Sequence, residues 1–306
     1  MQNLCICILA HNEQKHIAAT IEALAGDSVH LNCDIKVYAN GCTDATVAIV
    51  RDLSQKIPNL SLRELAIASK PNAWNTAFVE NAHAVLVFSD GDVIPEQGAI
   101  EALWRLLICR ETETVLAGCS LWPKGEGLTF GQRAVGFVQI PLWQTFLAGG
   151  LYAVHRTRLM NELHKVGIST IPLGIVGEDI FLEKLVPAEK FRIITSRVYY
   201  EPPAWTDFWK YLARIRWQEE QLLSNYGDLI ARGANAPHDG FARHLNKAEY
   251  ANGLNRLMLG VVATGLRCIL RIFFKRKIQK HYDAMGPVNK EGGAVLSRVS
   301  RSGSVK

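Results

Sequence analysis

The chain has 306 residues, about twice the usual single-domain length of ~150, so it holds either one large α/β domain or a core domain with an appended C-terminal region. It is 48% hydrophobic and 21% charged, with 24 Gly and 11 Pro, which excludes disordered, collagenous and disulfide-scaffold classes. A formal net charge of +5 is too small an excess to point to nucleic acid as a partner.

The N-terminus, MQNLCICILAHNE, lacks a basic leader and reaches Glu13 after one short apolar run, so it does not read as a secretory signal. Leu4–Leu9 reads as a buried strand in which Cys5 and Cys7 alternate. None of the seven cysteines forms a CxxC pair, so free core thiols in a reducing compartment are expected. The strand ends at Ala10-His11-Asn12-Glu13, and Ile17, Ile21 and Leu24 then follow at helical spacing. Ile35–Ala39 is predicted as a second strand, ending at Asn40-Gly41-Cys42-Thr43-Asp44, with a helix through Val47, Val50 and Leu53. A third strand is expected over Ser61–Ala66, a third helix over Asn72–His83, and a fourth strand over Ala84–Phe88, running into Ser89-Asp90-Gly91-Asp92. This alternation predicts βαβ units and a mostly parallel sheet covered on both faces. Ligands of such sheets sit beyond the carboxyl ends of the strands, where these polar clusters fall.

Further on, Gln97–Arg110 is predicted as an amphipathic helix and Thr114–Ser120 as a strand. Val135–Val154 carries no charge, yet Pro141, Gln139, Gln144 and Gly149-Gly150 argue for a buried core and acceptor pocket over a membrane span. From Ala251 to Lys280 one long helix is expected, with Arg256, Gly260, Thr264, Arg267, Arg271 and Lys275 on one stripe. It reads equally as an interfacial helix meeting anionic headgroups or as a helix packed on its own domain or on a twin subunit. From Arg256 to Lys306 there are eleven Lys/Arg against two acids, a local +9 that leaves −4 for the remaining 255 residues. Beyond Pro287 a disordered tail is expected.

Three clusters have the residue types that chemistry needs. Asp90-Gly91-Asp92 places two carboxylates around a residue that permits close backbone approach, a pattern suited to a divalent cation completed by substrate phosphates. Glu178-Asp179 opens a predicted helix, Ile180–Val186, where the carboxylates either favour the helix dipole or provide a general base. Arg214 and Arg216 lie two apart and cannot share a helix face, so one could reach an anionic ligand while the other pairs on the surface.

In this order and spacing, over roughly residues 3–220, the clusters resemble family 2 glycosyltransferases of the GT-A fold. The resemblance rests on Asn12-Glu13, Asn40-Gly41-Cys42-Thr43-Asp44-Ala45-Thr46, Lys70-Pro71-Asn72-Ala73-Trp74-Asn75, Asp90-Gly91-Asp92, Gly149-Gly150-Leu151-Tyr152-Ala153-Val154-His155-Arg156 and Glu178-Asp179-Ile180-Phe181-Leu182. It implies a domain over 1–225, a helical amphipathic extension over 226–285 and a tail over 286–306. It also implies a nucleotide-sugar donor, a UDP-sugar by preference, bound over the first half of the sheet by Ala10, Asn12, Glu13, Asn40, Asp44, Lys70, Asn75, Asp90, Gly91, Arg216 and Trp217. Mn²⁺ or Mg²⁺ would be held by Asp92 and Asp90, with Glu201 standing where relatives have a His ligand. Asp179 would be the catalytic base with Glu178 beside it, and His155-Arg156 would line the acceptor side.

The resemblance further implies a metal-dependent, inverting transfer of one sugar to a glycan or lipid-linked acceptor. Processive members carry Gln-x-x-Arg-Trp; here Arg216-Trp217 is kept and the Gln is lost, so a non-processive enzyme is expected. The expected location is cytoplasmic, with peripheral contact at the inner face of the membrane through 251–280. A sugar-phosphate nucleotidyltransferase would show a Gly-rich, Arg- and Lys-bearing loop after the first strand, which is lacking. A catalytically silent nucleotide-sugar-binding or membrane-scaffold protein is disfavoured by the intact Asp90, Asp92 and Asp179.

Overall fold

The computed structural model describes residues 4–143, 147–233, 275–277 and 279–283. Its first half alternates as the sequence predicts: β1 (Leu4–Ala10), α1 (Ile17–Asp27), β2 (Cys33–Asn40), α2 (Thr46–Ser54), β3 (Leu60–Leu65), α3 (Lys70–Glu80) and β4 (Val85–Asp90). The second half holds β5 (Ile94–Pro95), α4 (Ala99–Ile108), β6 (Leu116–Pro123), α5 (Phe130–Trp143), β7 (Leu151–His155), α6 (Arg156–Lys165), α7 (Glu178–Leu185), β8 (Phe191–Tyr200) and α8 (Phe208–Gly233).

All eight strands form one sheet in the order β3-β2-β1-β4-β7-β6-β8-β5. The first four are mutually parallel, and β7 runs antiparallel between β4 and β6. The reversal matters for the site. Residue pairing runs from Val85 opposite His155 to Ser89 opposite Leu151, so the carboxyl end of β4 meets the start of β7.

Successive strand residues point to opposite faces, and both faces are apolar. Cys5, Cys7, Leu86, Phe88, Tyr152 and Val154 build one core with Trp74 and Phe78 of α3 and Phe181 and Leu182 of α7. Ile6, Ile8, Val85, Val87, Leu151 and Ala153 build the other with Ile17 and Ile21 of α1 and Leu103 of α4. Fully burying one such large side chain stabilises the fold by roughly 1.5–3 kcal/mol before its conformational entropy is charged against it. The uncharged run 135–154 divides into α5 and β7, and Val135, Leu147, Ala148 and Leu151 are buried. Among the described residues no helix is long and apolar enough to cross a membrane. The expected helix over 251–280 lies outside the described residues except at 275–277 and 279–280, which are helical.

One buried acid, the last residue of α1, fixes the start of α4. Gly98 precedes the helix with φ +83, and both Gly98 N and Ile100 N donate to the Asp27 carboxylate, the latter at 2.9 Å. Asp27→Ala leaves two helix-start N–H groups without that acceptor. It should lower the free energy of unfolding by about 1–2 kcal/mol, read by urea denaturation; an unchanged midpoint would remove the capping role.

Candidate active site

The loops that follow β1 and β2 are latched to each other. Asn12, at φ +59, accepts from Thr43 N through Oδ1 (2.8 Å). His11 Nδ1 donates to the Asn40 carbonyl (2.6 Å), and Asn40 Nδ2 donates to the Ala10 carbonyl (2.8 Å). Asp44 accepts from Gln14 N (3.1 Å) and from Thr46 N (3.0 Å), while Glu13 N donates to Thr46 Oγ1 (2.8 Å). These hydrogen bonds outweigh desolvation and hold the Asp44 carboxyl below the ordinary range. Gly41, at φ +59, lies so close to the β3–α3 loop that a Cβ would come within 2.6 Å of Ala68 N. A side chain there would break both the backbone conformation and the packing.

Lys70 opens α3 beneath these loops. Its Nζ is 2.7 Å from Asp90 Oδ1 and 2.8 Å from Glu178 Oε1. Desolvation alone would lower the ammonium, but Asp90, Glu178 and Asp179 outweigh it and hold its pKa well above the usual lysine value. Glu178 is 1% exposed. Burial pushes its carboxyl up to about 7, against the pull of Lys70 and with the support of Asp179 and Asp90. Burial likewise raises Asp179. Glu13, half-buried, is raised to about 8 by burial and by Asp92, Asp90 and Asp44. Asp92 is exposed at the rim of the cleft, yet loss of water to the surrounding walls and the neighbouring Asp90 raise it too.

Small residues bring the two acidic groups together. Asp90 N donates to the Gly150 carbonyl (3.0 Å), tying the end of β4 to the turn before β7. A Cβ on Gly149 would fall 2.6 Å from Asp179 Oδ2, so the carboxylate lies directly on that glycine. A Cβ on Gly91 would meet Glu13 Cγ at 2.9 Å. The loop that leads into α7 is held by two amides. Asn75 donates to the Ile171 carbonyl (2.7 Å) and accepts from Ile171 N (3.0 Å), and Gln221 Nε2 donates to the Gly174 carbonyl (2.6 Å).

The structure therefore gathers Ala10, Asn12, Glu13, Asn40, Asp44, Lys70, Asp90, Gly91, Asp92, Glu178 and Asp179 around the carboxyl ends of β1, β2 and β4. Others stand apart. His155 and Arg156 lie at the opposite end of β7, where Arg156 donates to the Ala84 and Phe78 carbonyls (2.9 and 3.2 Å) and His155 caps α6. Arg216 is on the outer face of α8, paired with Glu220 (2.9 Å) and stacked over Tyr282 at 4.7 Å. Trp217 is buried with Ala213 and is packed by Val176 and Tyr282. Asn75 has both ends of its amide engaged by Ile171, and Glu201 accepts from Lys124 and from Gln132 (3.0 Å). Two contributors had no signal in the sequence: His16, whose charge when protonated reaches both Asp92 and Glu201, and the Lys70 bridge to Glu178. Nothing in the local spacing of either residue brings it to these partners; the tertiary fold does.

Among the described residues no three His, Cys, Asp or Glu side chains are grouped so that they could hold a metal ion. Asp90 and Asp92 do fit a hard divalent cation whose shell is finished by phosphate oxygens and water, the usual way Mg²⁺ is bound beside substrate phosphates.

A mostly parallel sheet with an inserted antiparallel strand, and carboxylates gathered at its carboxyl end, define an α/β class whose ligands sit beyond the strand ends. Residues 5–150 match the family model of glycosyl transferase family 2. That match covers just under half of the chain, and the fold is of the GT-A type. Among solved structures it is similar to the mannosyltransferase PcManGT from Pyrobaculum calidifontis in complex with GDP-Man and Mn2+, at 17% identity and a TM-score of 0.56, over 98% of this chain and 86% of that one. Weaker likenesses are to S. aureus TarS 1-349 in complex with UDP-GlcNAc (14% identity, TM-score 0.48, 85% and 79% of the two chains) and to glucosyl-3-phosphoglycerate synthase from Mycobacterium tuberculosis (17%, 0.47, 73% and 79%). No curated protein matches the chain.

The raised Glu178 has a consequence for stability. Between its ordinary 4.5 and about 7 the folded protein holds a proton that the unfolded chain releases, so stability falls as pH rises through that window. In Glu178→Gln the fall in melting temperature across the same window should be shallower than in the wild type, measured by differential scanning fluorimetry in parallel buffers. An unchanged slope would contradict the assignment.

Proposed function

We propose that the protein is a metal-dependent, inverting, non-processive glycosyltransferase that moves one sugar from a nucleotide-sugar to an acceptor hydroxyl. The observation that carries this reading is the juxtaposition of Asp90 with Glu178 across a single Lys70 ammonium, 2.7 and 2.8 Å away, inside a family 2 domain. Donor-side and base-side groups thereby face one cleft. We assign the catalytic unit to residues 1–225.

In this reading the nucleoside lies over Ala10, Asn12 and Glu13, on the rigid loop pair latched by Asn12–Thr43 and Asn40–Ala10. Asp90 and Asp92 would hold Mn²⁺ or Mg²⁺, which when bound offsets charge on the departing diphosphate. The bound GDP-Man and Mn2+ of the similar mannosyltransferase support that choice of ligand class. Lys70 reaches the same diphosphate and gives it a second cation. Asp179, raised by burial, takes the proton of the acceptor hydroxyl; a carboxylate so raised accepts a proton more readily than an ordinary one. Attack from its side, opposite the diphosphate, inverts the anomeric centre without a covalent intermediate. A glycan or lipid-linked acceptor is supported by the exposed Lys275, Arg276, Lys277 and Lys280, which suit an anionic membrane surface.

Two variants separate the roles. Asp92→Ala should lose Mn²⁺-dependent binding of UDP and GDP by calorimetry, and retained binding would sink the metal assignment. Asp179→Asn should bind donor as the wild type does and transfer sugar about 10²–10⁴-fold more slowly, the usual range for a lost general base; near-normal transfer would remove Asp179 from that role. A thermal-shift screen of nucleotide-sugars with Mn²⁺ identifies the donor through the stabilisation that a bound ligand confers.

A further inference from the structure

The strip of chain that carries Gly149 is fastened at both ends. At its carboxyl end the Gly150 carbonyl accepts from Asp90 N at 3.0 Å. At its amino end Leu147 N donates to Glu183 Oε2 at 2.6 Å. The Leu147 side chain is buried against Gly118 of β6, where a Cβ would come within 2.6 Å of Leu147 Cδ1. Glu183 and Asp179 are four residues apart on α7, so they lie on one face of the helix, a turn apart. Glu183 holds Leu147, and the Asp179 carboxylate lies on Gly149 two residues further along the strip. These contacts close a ring, from Asp179 along α7 to Glu183, across to Leu147, along the strip to Gly149 and back to Asp179.

The helix by itself does not call for an acid at 183. A carboxylate one turn after Asp179 makes a like-charge pair, which destabilises a helix. Its place in the last turn of α7, which ends at Leu185, also sets a negative charge against the negative end of the macrodipole. What a carboxylate supplies here is a charge-assisted hydrogen bond to a backbone N–H, about twice as strong as a neutral one. Leu147 is 3% exposed, so water is a poor substitute for that acceptor. Without it the strip loses its fastening to α7, and the ring around Asp179 opens.

We propose that Glu183 is a positioning residue for Asp179: by accepting from Leu147 N it keeps the 147–150 strip along α7 and Gly149 under the Asp179 carboxylate. A hydroxyl entering over Gly149 then meets the carboxylate at a fixed height. The catalytic consequence rests on the assignment of Asp179 as base made above; the latch itself does not. Only a hydrogen bond is involved, and Glu183 touches no reacting atom.

The first test needs no ligand. Hydrogen exchange of the Leu147 amide is followed by NMR in the wild type, Glu183→Ala and Glu183→Gln, with the amides of Ile6 and Ile8 in β1 reporting that the fold is intact. In Glu183→Ala the Leu147 amide should exchange about tenfold faster or more, the ratio expected for a lost hydrogen bond to a charged group. Glu183→Gln, which can still accept, should fall between. Unchanged protection in Glu183→Ala overturns the latch whatever the protein catalyses. If Glu183→Ala does not fold, Glu183→Asp, which keeps the charge but is one methylene shorter, serves in its place. The second test follows release of UDP or GDP from UDP-Glc, UDP-GlcNAc and GDP-Man with Mn²⁺, water standing in for the acceptor. For the donor that the wild type turns over, Glu183→Ala should lower kcat about 10- to 100-fold, the loss that a displacement of ~1 Å can cause, with the donor KM unchanged. Glu183→Gln should recover much of that loss. In the Asp179→Asn background Glu183→Ala should cost little more, because both act through one carboxylate. A wild-type kcat in Glu183→Ala, no recovery in Glu183→Gln, or a strictly additive double variant overturns the positioning role. Near-normal turnover by Asp179→Asn is a distinct failure: it removes the base and the positioning of it together, while faster Leu147 exchange would still show a latch that is structural only.

Discussion

The Lys70 ammonium, within 2.8 Å of both Asp90 and Glu178, is the contact on which the two halves of the cleft depend. Its own location is electrostatically awkward. It is the first residue of α3, after the Ser69 cap that accepts from Asn72 N at 3.3 Å, and a cation at a helix N-terminus opposes the macrodipole. Such an arrangement is tolerated because two carboxylates from distant strands and helices converge on it. Asp90 arrives at the end of β4, and Glu178 at the start of α7 after a loop fixed by Asn75 and Gln221. Lys70 and Asn75 belong to the same helix, so α3 sets both the height of the loop and the position of the carboxylate that follows it.

Around that single cation the cleft is rich in acid. Glu13, Asp44, Asp90, Asp92, Glu178 and Asp179 act on one another, and four of them, Glu13, Asp92, Glu178 and Asp179, are raised above their ordinary ranges. Like charges at this density favour proton uptake in the unliganded protein. The same field favours any cation that can reach Asp90 and Asp92. Asp44 is the exception that clarifies the rule. Its carboxylate accepts hydrogen bonds from Thr46 and Gln14, and these hold it low and make it a fastener of the loops. Acidity in this cleft thus follows from hydrogen bonding as much as from burial.

Much of this was legible in the sequence because the strands are buried on both faces and the polar clusters interrupt them at their ends. Continuous apolar runs ending in Asn12-Glu13, Asn40 and Asp90 mark the carboxyl edge of a parallel sheet, and the structure sets them side by side. What was not legible was direction. A strand reads alike in parallel and antiparallel orientation, so Gly149-Gly150 and His155-Arg156 look like one motif facing one cleft. The antiparallel β7 separates them by the full length of a strand, leaving the glycines at Asp179 and sending Arg156 to the carbonyls of Phe78 and Ala84. Helix facing was hidden in the same way. Arg216 and Trp217 are neighbours in sequence, but one lies on the solvent side with Glu220 and the other is packed by Val176. Side-chain amides were hardest to read. Asn40 and Asn75 resemble ligand contacts by residue type, whereas both secure backbone, and only the fold distinguishes a free amide from an engaged one.

The adjacent acids Glu178 and Asp179 illustrate how one dipeptide divides two tasks. Consecutive helix residues are about 100° apart around the axis, so the two side chains necessarily point in different directions. Glu178 turns inward, where it is buried against Lys70 and an acceptor has no access. Asp179 turns toward Gly149, half-buried, with Oδ2 lying against a residue that has no side chain to cover it. Of the two, Asp179 is therefore the carboxylate that a hydroxyl entering the cleft could meet. Glu178 cannot receive that hydroxyl, yet its charge and its hold on Lys70 shape the field in which Asp179 would act. A glycine at 149 and an acid at 178 are for this reason parts of the same device. The first makes room for Asp179, and the second links its helix, through one ammonium, to the strand that ends at Asp90.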